Sequence, residues 1–85
     1  MKSLKKYDVI FDIYENGVKT ASNVSAAKYF GGEVLATDNN LAGLTVQEWL
    51  CEELEEQHNV KYTRKGVYVD GVLNFGGFKV QPIAA

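Results

Sequence analysis

The chain has a single cysteine, Cys51, a single histidine, His58, and a single proline, Pro82. One cysteine excludes an internal disulfide and gives no sign of an oxidising compartment. One cysteine and one histidine are too few for a structural zinc site of the usual kind. On a helix, Cys51 and His58 would stand about two turns, roughly 10 Å, apart, too far for a nucleophile and its base. No apolar run approaches membrane-spanning length. The basic start Met1-Lys2-Ser3-Leu4-Lys5-Lys6 resembles the opening of a signal peptide, but Asp8 and Asp12 interrupt what would be its apolar core. The expectation is a cytoplasmic protein with no membrane contact.

The chemistry of an enzyme is equally scarce. Asp8 and Asp12 lie on one face of a candidate strand, about 13 Å apart at strand rise, and do not form an acid–base pair. Gly31-Gly32 and Gly76-Gly77 lack the spacing and the following Lys-Ser/Thr of a phosphate loop. Asp38-Asn39-Asn40 is not an EF-hand loop. No catalytic residue, no metal site and no cofactor is expected.

A further absence is regional. Residues 31–59 hold seven acids and no lysine or arginine. Residues 1–30 carry five lysines against three acids, and residues 60–85 carry four basic side chains against one acid. The total is only −2, yet such segregation favours charge-guided binding.

The chain of 85 residues suits one compact domain, 1–85, with modest burial. Within it, Thr45 to Gln57 reads as the only long helix, spanning about 45–58. Thr45 and Glu48 have the spacing of a capping box. Val46, Trp49, Leu50 and Leu54 make one apolar stripe, and His58-Asn59 is a stop signal. Asp38 to Gly43 reads as a polar loop leading in. The outer face holds Glu48, Glu52, Glu55 and Glu56, with Glu53 nearer the apolar edge beside Trp49. Like charges at i,i+4 repel, and acids late in a helix oppose its dipole, so the cluster is locally unfavourable.

Tyr7 to Glu15 alternates with period two, placing Tyr7, Val9, Phe11 and Ile13 on one face of a strand. Asn16-Gly17 signals a type I′ hairpin turn, with Val18 to Ser22 as the return strand. Ser25 to Phe30 suits either a short helix or a continued strand, and the reading leans towards strand pairing through Gly31-Gly32 into Glu33–Thr37. Ala26-Ala27-Lys28-Tyr29-Phe30-Gly31 also resembles the helix opening of excisionase-type winged DNA-binding domains, but a hairpin precedes it and no basic recognition helix follows. Val60–Arg64, Val67–Val69, Val72–Phe75 and Phe78–Gln81 are further strand segments. Asp70-Gly71 marks a tight turn and Gly76-Gly77 a bulge.

The fold class is therefore α+β: a small, mostly antiparallel sheet, built from an N-terminal hairpin and C-terminal strands, packed on one amphipathic helix. The uncovered sheet face is expected to carry Ile10, Tyr14, Tyr62 and Tyr68. The leading functional expectation is a small non-enzymatic protein-binding module, an inhibitor or regulator, docking on a basic partner protein through Glu48, Glu52, Glu55 and Glu56, the aromatic sheet face, or both. The hairpin Tyr14-Glu15-Asn16-Gly17, followed by a helix with Trp49-Leu50, resembles some small anti-CRISPR proteins. That resemblance implies a phage-encoded inhibitor, and the absence of lysine and arginine from residues 31–59 leads to the expectation that the four glutamates imitate phosphates and compete for a basic groove. The second reading is single-stranded nucleic-acid binding by Lys61, Tyr62, Arg64 and Lys65, where cations meet phosphates and tyrosine stacks on a base. The sequence pI of about 5.3 weighs against it. The third is a homodimer formed through the sheet face or an edge strand.

Overall fold

The computed structural model describes residues 3–54 and 59–83. Its elements are β1 (Lys5–Glu15), β2 (Val18–Ser25), α1 (Ala26–Phe30), β3 (Val34–Ala36), α2 (Asn39–Glu53), β4 (Val60–Thr63), β5 (Gly66–Val69) and β6 (Val72–Pro82). The strands form one antiparallel sheet in the order β2-β1-β6-β5-β4, with β3 also paired to β1. α2 packs on one face of this sheet, which is the α+β arrangement that the sequence pattern indicates.

Two hairpins form where the sequence demands positive φ. Asn16 and Gly17 adopt φ of 53° and 80°, and Asp70 and Gly71 adopt 51° and 78°. Asn, Asp and Gly tolerate this left-handed backbone, which matches the twist of the flanking strands.

β1 is an interior strand, paired on both sides. Tyr7, Val9 and Phe11 are buried and Ile13 is half-buried, as its alternation requires. They meet Ala42, Val46 and Leu50 of α2, Val67 of β5 and Phe75 of β6 in the core. Phe11 stacks with Phe78 and meets Tyr29 and Phe75 edge-on.

One long edge of β1 is shared. β3 pairs with Lys5, Lys6 and Tyr7, and β2 pairs from Ile10 onward. The chain crosses the gap between them through α1. This overturns the expectation of continuous strand pairing through Gly31-Gly32: the return strand runs past Ser22 to Ser25, and Ala26–Phe30 is helical. The reason lies in the caps. The Ser25 hydroxyl accepts from Lys28 N–H, and Gly31 closes the turn at φ 80°. Asp8 faces the gap and accepts from Ser25 Oγ at 2.6 Å and from Ala27 N–H at 3.0 Å. Asp8, which is no acid–base partner for Asp12, thus helps to cap α1.

The second correction concerns the start of α2. The helix begins at Asn39, not Thr45, and its N-cap is Asp38, which accepts from Leu41 N–H at 2.9 Å. Asp38 to Gly43 is not a loop. Thr45 lies inside the helix and donates its hydroxyl to Leu41 O. Asn39, Asn40 and Gly43 are poor helix formers. Ala42, however, stands four residues before Val46 and eight before Leu50, and all three are fully buried. Burial of that extended stripe overrides the weak local preference. The helix ends at a Leu54 cap, and the expected continuation over 55–58 lies outside the described residues.

The Gly76-Gly77 bulge is present: Gly77 has φ 64°, and the β1–β6 register shifts between Ile10 and Asp12. Gly66 and Gly76 are paired across β5 and β6 and both are buried. A β-carbon on Gly66 would collide with Phe75 O and stand 2.5 Å from Leu73 Cδ1. Leu73 therefore lies down over the two glycines on the face away from α2.

Candidate interaction surfaces

The outer face of α2 is built by helical geometry. Glu48 and Glu52 sit one turn apart on the side opposite Ala42, Val46 and Leu50, and both are exposed. Glu53 lies on the flank next to Trp49, as its helical angle indicates. Two tyrosines from other elements hold these acids. Tyr62 of β4 donates its hydroxyl to Glu48 Oε1 at 3.3 Å, and Tyr29 of α1 donates to Glu53 Oε2 at 3.0 Å. Proximity to Glu48 raises the pKa of Tyr62. Burial raises that of Tyr29, with the Glu53 hydrogen bond adding to it. Cys51, half-buried on the Glu48 side of the helix, is raised first by burial and then by Glu48, which leaves it a poor nucleophile at neutral pH. Glu55 and Glu56, expected to extend the face, lie outside the described residues.

The four residues of the basic alternative do not share one surface. Strand alternation turns Lys61 to the open sheet face and Tyr62 towards α2, where its hydroxyl meets Glu48. Tyr62 was expected among the open-face tyrosines, and its register with the buried Val67 places it on the other side. Arg64 lines a groove of about 470 Å³ with Asn40, Leu44, Gln47, Phe78 and Val80. Lys65 is in the β4–β5 turn, where its N–H donates to Thr63 Oγ1. Gln47, only 4% exposed, ties α2 to that turn by donating from Nε2 to Thr63 O at 2.8 Å.

The face of the sheet away from α2 carries Ile10, Tyr14, Leu73 and Tyr68, all half-buried, with exposed Lys19, Lys61 and Lys79. Lys19 Nζ lies 5.9 Å from the Tyr14 ring centroid and 3.4 Å from Asp12 Oδ2. Asp12 also accepts from Asn23 N–H at 3.0 Å. That hydrogen bond, ahead of the charges of Lys19 and Lys79, holds its carboxyl below the ordinary 3.8.

Composition alone shows the acidic helix. The tyrosine partners Tyr29 and Tyr62, and the grouping of Lys19 and Lys79 with Lys61, depend on strand register, for which the sequence carries only the indirect signal of alternation. No protein-family model matches the chain, and no curated protein or solved structure is detectably similar to it. The two faces are therefore interpreted from their own chemistry.

Proposed function

We propose that the chain is a small non-enzymatic protein-binding module, an inhibitor or regulator of the kind that phages and mobile elements encode, acting in the cytoplasm. It docks on a partner with a basic surface through the outer face of α2. The observation that carries this reading is the pair of tyrosine–glutamate hydrogen bonds. Tyr62 and Tyr29 hold Glu48 and Glu53 on either side of the exposed Glu52. Acids fixed before binding lose less side-chain freedom when they meet a cation. The stretch 31–59, free of lysine and arginine, leaves the face unneutralised from its own segment, and Glu55 and Glu56 continue it in sequence. A single cysteine, half-buried and unactivated, suits a reducing compartment.

The test is crosslinking capture from cell extract, comparing wild type with a variant in which Glu48, Glu52, Glu55 and Glu56 are all Gln. The wild type is expected to retain a basic protein that the variant loses at physiological salt. Retention of the same partner by the variant would overturn the reading.

A further inference from the structure

The open face of the sheet has an order that its composition does not reveal. Ile13 of β1 and Val67 of β5 share one partner on β6, Phe75. One residue further along each strand, and on the opposite face, stand Tyr14 and Tyr68. β1 and β5 both run antiparallel to β6, so the two tyrosines leave that common row in the same direction. They flank β6 on either side, about 9–10 Å apart at two strand spacings, with the β5–β6 register shifted by a bulge between Val67 and Tyr68. Each has a lysine as its direct partner on the next strand out: Lys19 opposite Tyr14, and Lys61 opposite Tyr68. Reading across the sheet from β2 to β4 gives Lys19, Tyr14, the β6 strand with Leu73, Tyr68 and Lys61. The row is about 19 Å long.

We propose that this transverse row is a binding site for single-stranded nucleic acid, separate from the α2 face. The tyrosines supply two stacking platforms, and Lys61 at one end of the row and Lys79 on the same face neutralise phosphates, while Lys19 at the other end is held by Asp12. A π-face stacks on any base and an ammonium meets any phosphate, so such a site is tolerant of sequence. The floor suits an extended strand. Gly66 and Gly76 carry no side chain, and Leu73 fills the space above them. Charge complementarity favours a polyanion. Asp12 is engaged by Asn23 N–H and Lys19, Asp8 by Ser25 and Ala27 N–H, and Asp70, beside Lys61 and Tyr68, accepts from Asn59 Nδ2, so these acids have partners within the fold. Among the described residues, Lys61 and Lys79 form no ion pair. The acids of α2 belong to the other side of the sheet. The molecule is thus polar across its thickness, which an overall charge of −2 conceals.

The experiment is fluorescence anisotropy with labelled oligo(dT), oligo(rU) and a DNA duplex, each about 20 units long, at about 25 and 200 mM NaCl. Both single strands are expected to bind, and the duplex more weakly. Two neutralised phosphates make single-strand affinity fall about 20-fold between those salts. Tyr14→Leu and Tyr68→Leu are each expected to weaken binding about ten-fold, and Lys61→Gln with Lys79→Gln to flatten the salt dependence. Glu48→Gln with Glu52→Gln leaves this binding undiminished, so failure of the α2 reading and failure of this one are distinguishable. Circular dichroism and Trp49 emission establish that each variant is folded. If a tyrosine variant does not fold, the exposed lysine pair decides through the salt slope. Absence of binding at the lower salt, equal affinity for the duplex, or an unchanged salt slope in the lysine variant would each overturn the proposal.

Discussion

Ser25 Oγ lies 2.6 Å from Asp8 Oδ2, across a gap of 17 positions in the chain. Ser25 donates to Asp8 while accepting from Lys28 N–H, so one hydroxyl joins β1 to the helix that bridges β2 and β3. Asp8→Ala removes the acceptor for both Ser25 Oγ and Ala27 N–H. The expected loss is about 1–3 kcal/mol in urea unfolding, because hydrogen bonds to a charged group in a part-buried setting exceed neutral ones. Asp8→Asn, which keeps one acceptor oxygen, is expected to lose less.

Gly66 and Gly32 make a matched pair for a packing test. A β-carbon on Gly66 meets the Phe75 carbonyl and Leu73, whereas one on Gly32 meets nothing within 4 Å. Gly66→Ala is expected to cost about 3 kcal/mol or more through forced backbone displacement. Gly32→Ala should be within about 0.5 kcal/mol of wild type. Equal thermal midpoints for the two would contradict the close approach of β5 and β6.

The acid limb of the stability profile contains a contribution from Asp12. Its folded pKa lies below the ordinary 3.8, first through the Asn23 N–H bond and then through Lys19. A depressed folded pKa adds stability that is present above the unfolded value and is lost as pH falls through the folded one. Wild type should therefore exceed Asp12→Asn in stability at pH 7, and the difference should shrink once the pH is below the ordinary 3.8. Chemical unfolding on both sides of that value checks this.

The Tyr62–Glu48 contact is visible without any binding partner. Glu48 raises the Tyr62 pKa above 10.0 by charge repulsion of the phenolate. Glu48→Gln should lower the pKa of that one tyrosine, read as phenolate absorbance in an alkaline titration. Tyr62→Phe removes the same component from the titration curve. If Glu48→Gln leaves the curve unchanged, the hydroxyl and carboxylate are not associated in solution.

Short-range chemistry made much of this fold legible. The alternation of Tyr7 to Ile13, the Asn16-Gly17 and Asp70-Gly71 turns and the glycine bulge all express preferences decided within a few residues. The start of α2 was hidden because its cap, Asp38, precedes three poor helix formers, and only the burial of Ala42 against the sheet makes the extra turns worthwhile. α1 was hidden for a similar reason: Ser25 and Gly31 cap it locally, but its existence depends on Asp8 from another strand. For the candidate site, the glutamates were legible because helical spacing is local. Tyr62 was assigned to the wrong face because its direction depends on pairing with Val67, and pairing is a long-range property.

The place of β1 in the sheet has a temporal consequence. Its partner along one whole side is β6, and Tyr7 pairs with Pro82, so the first strand made is completed by the last. During synthesis the β1–β2 hairpin and α1 can form early, yet Val9 and Phe11 complete their burial only when β6 arrives with Phe75, Phe78 and Val80. Long-range closure of this kind slows folding and leaves apolar surface open to the wrong neighbours meanwhile. A chain released before Val72 would retain both described helices and still present β1 with one whole edge unpaired. Premature termination should therefore produce aggregation rather than a smaller folded protein.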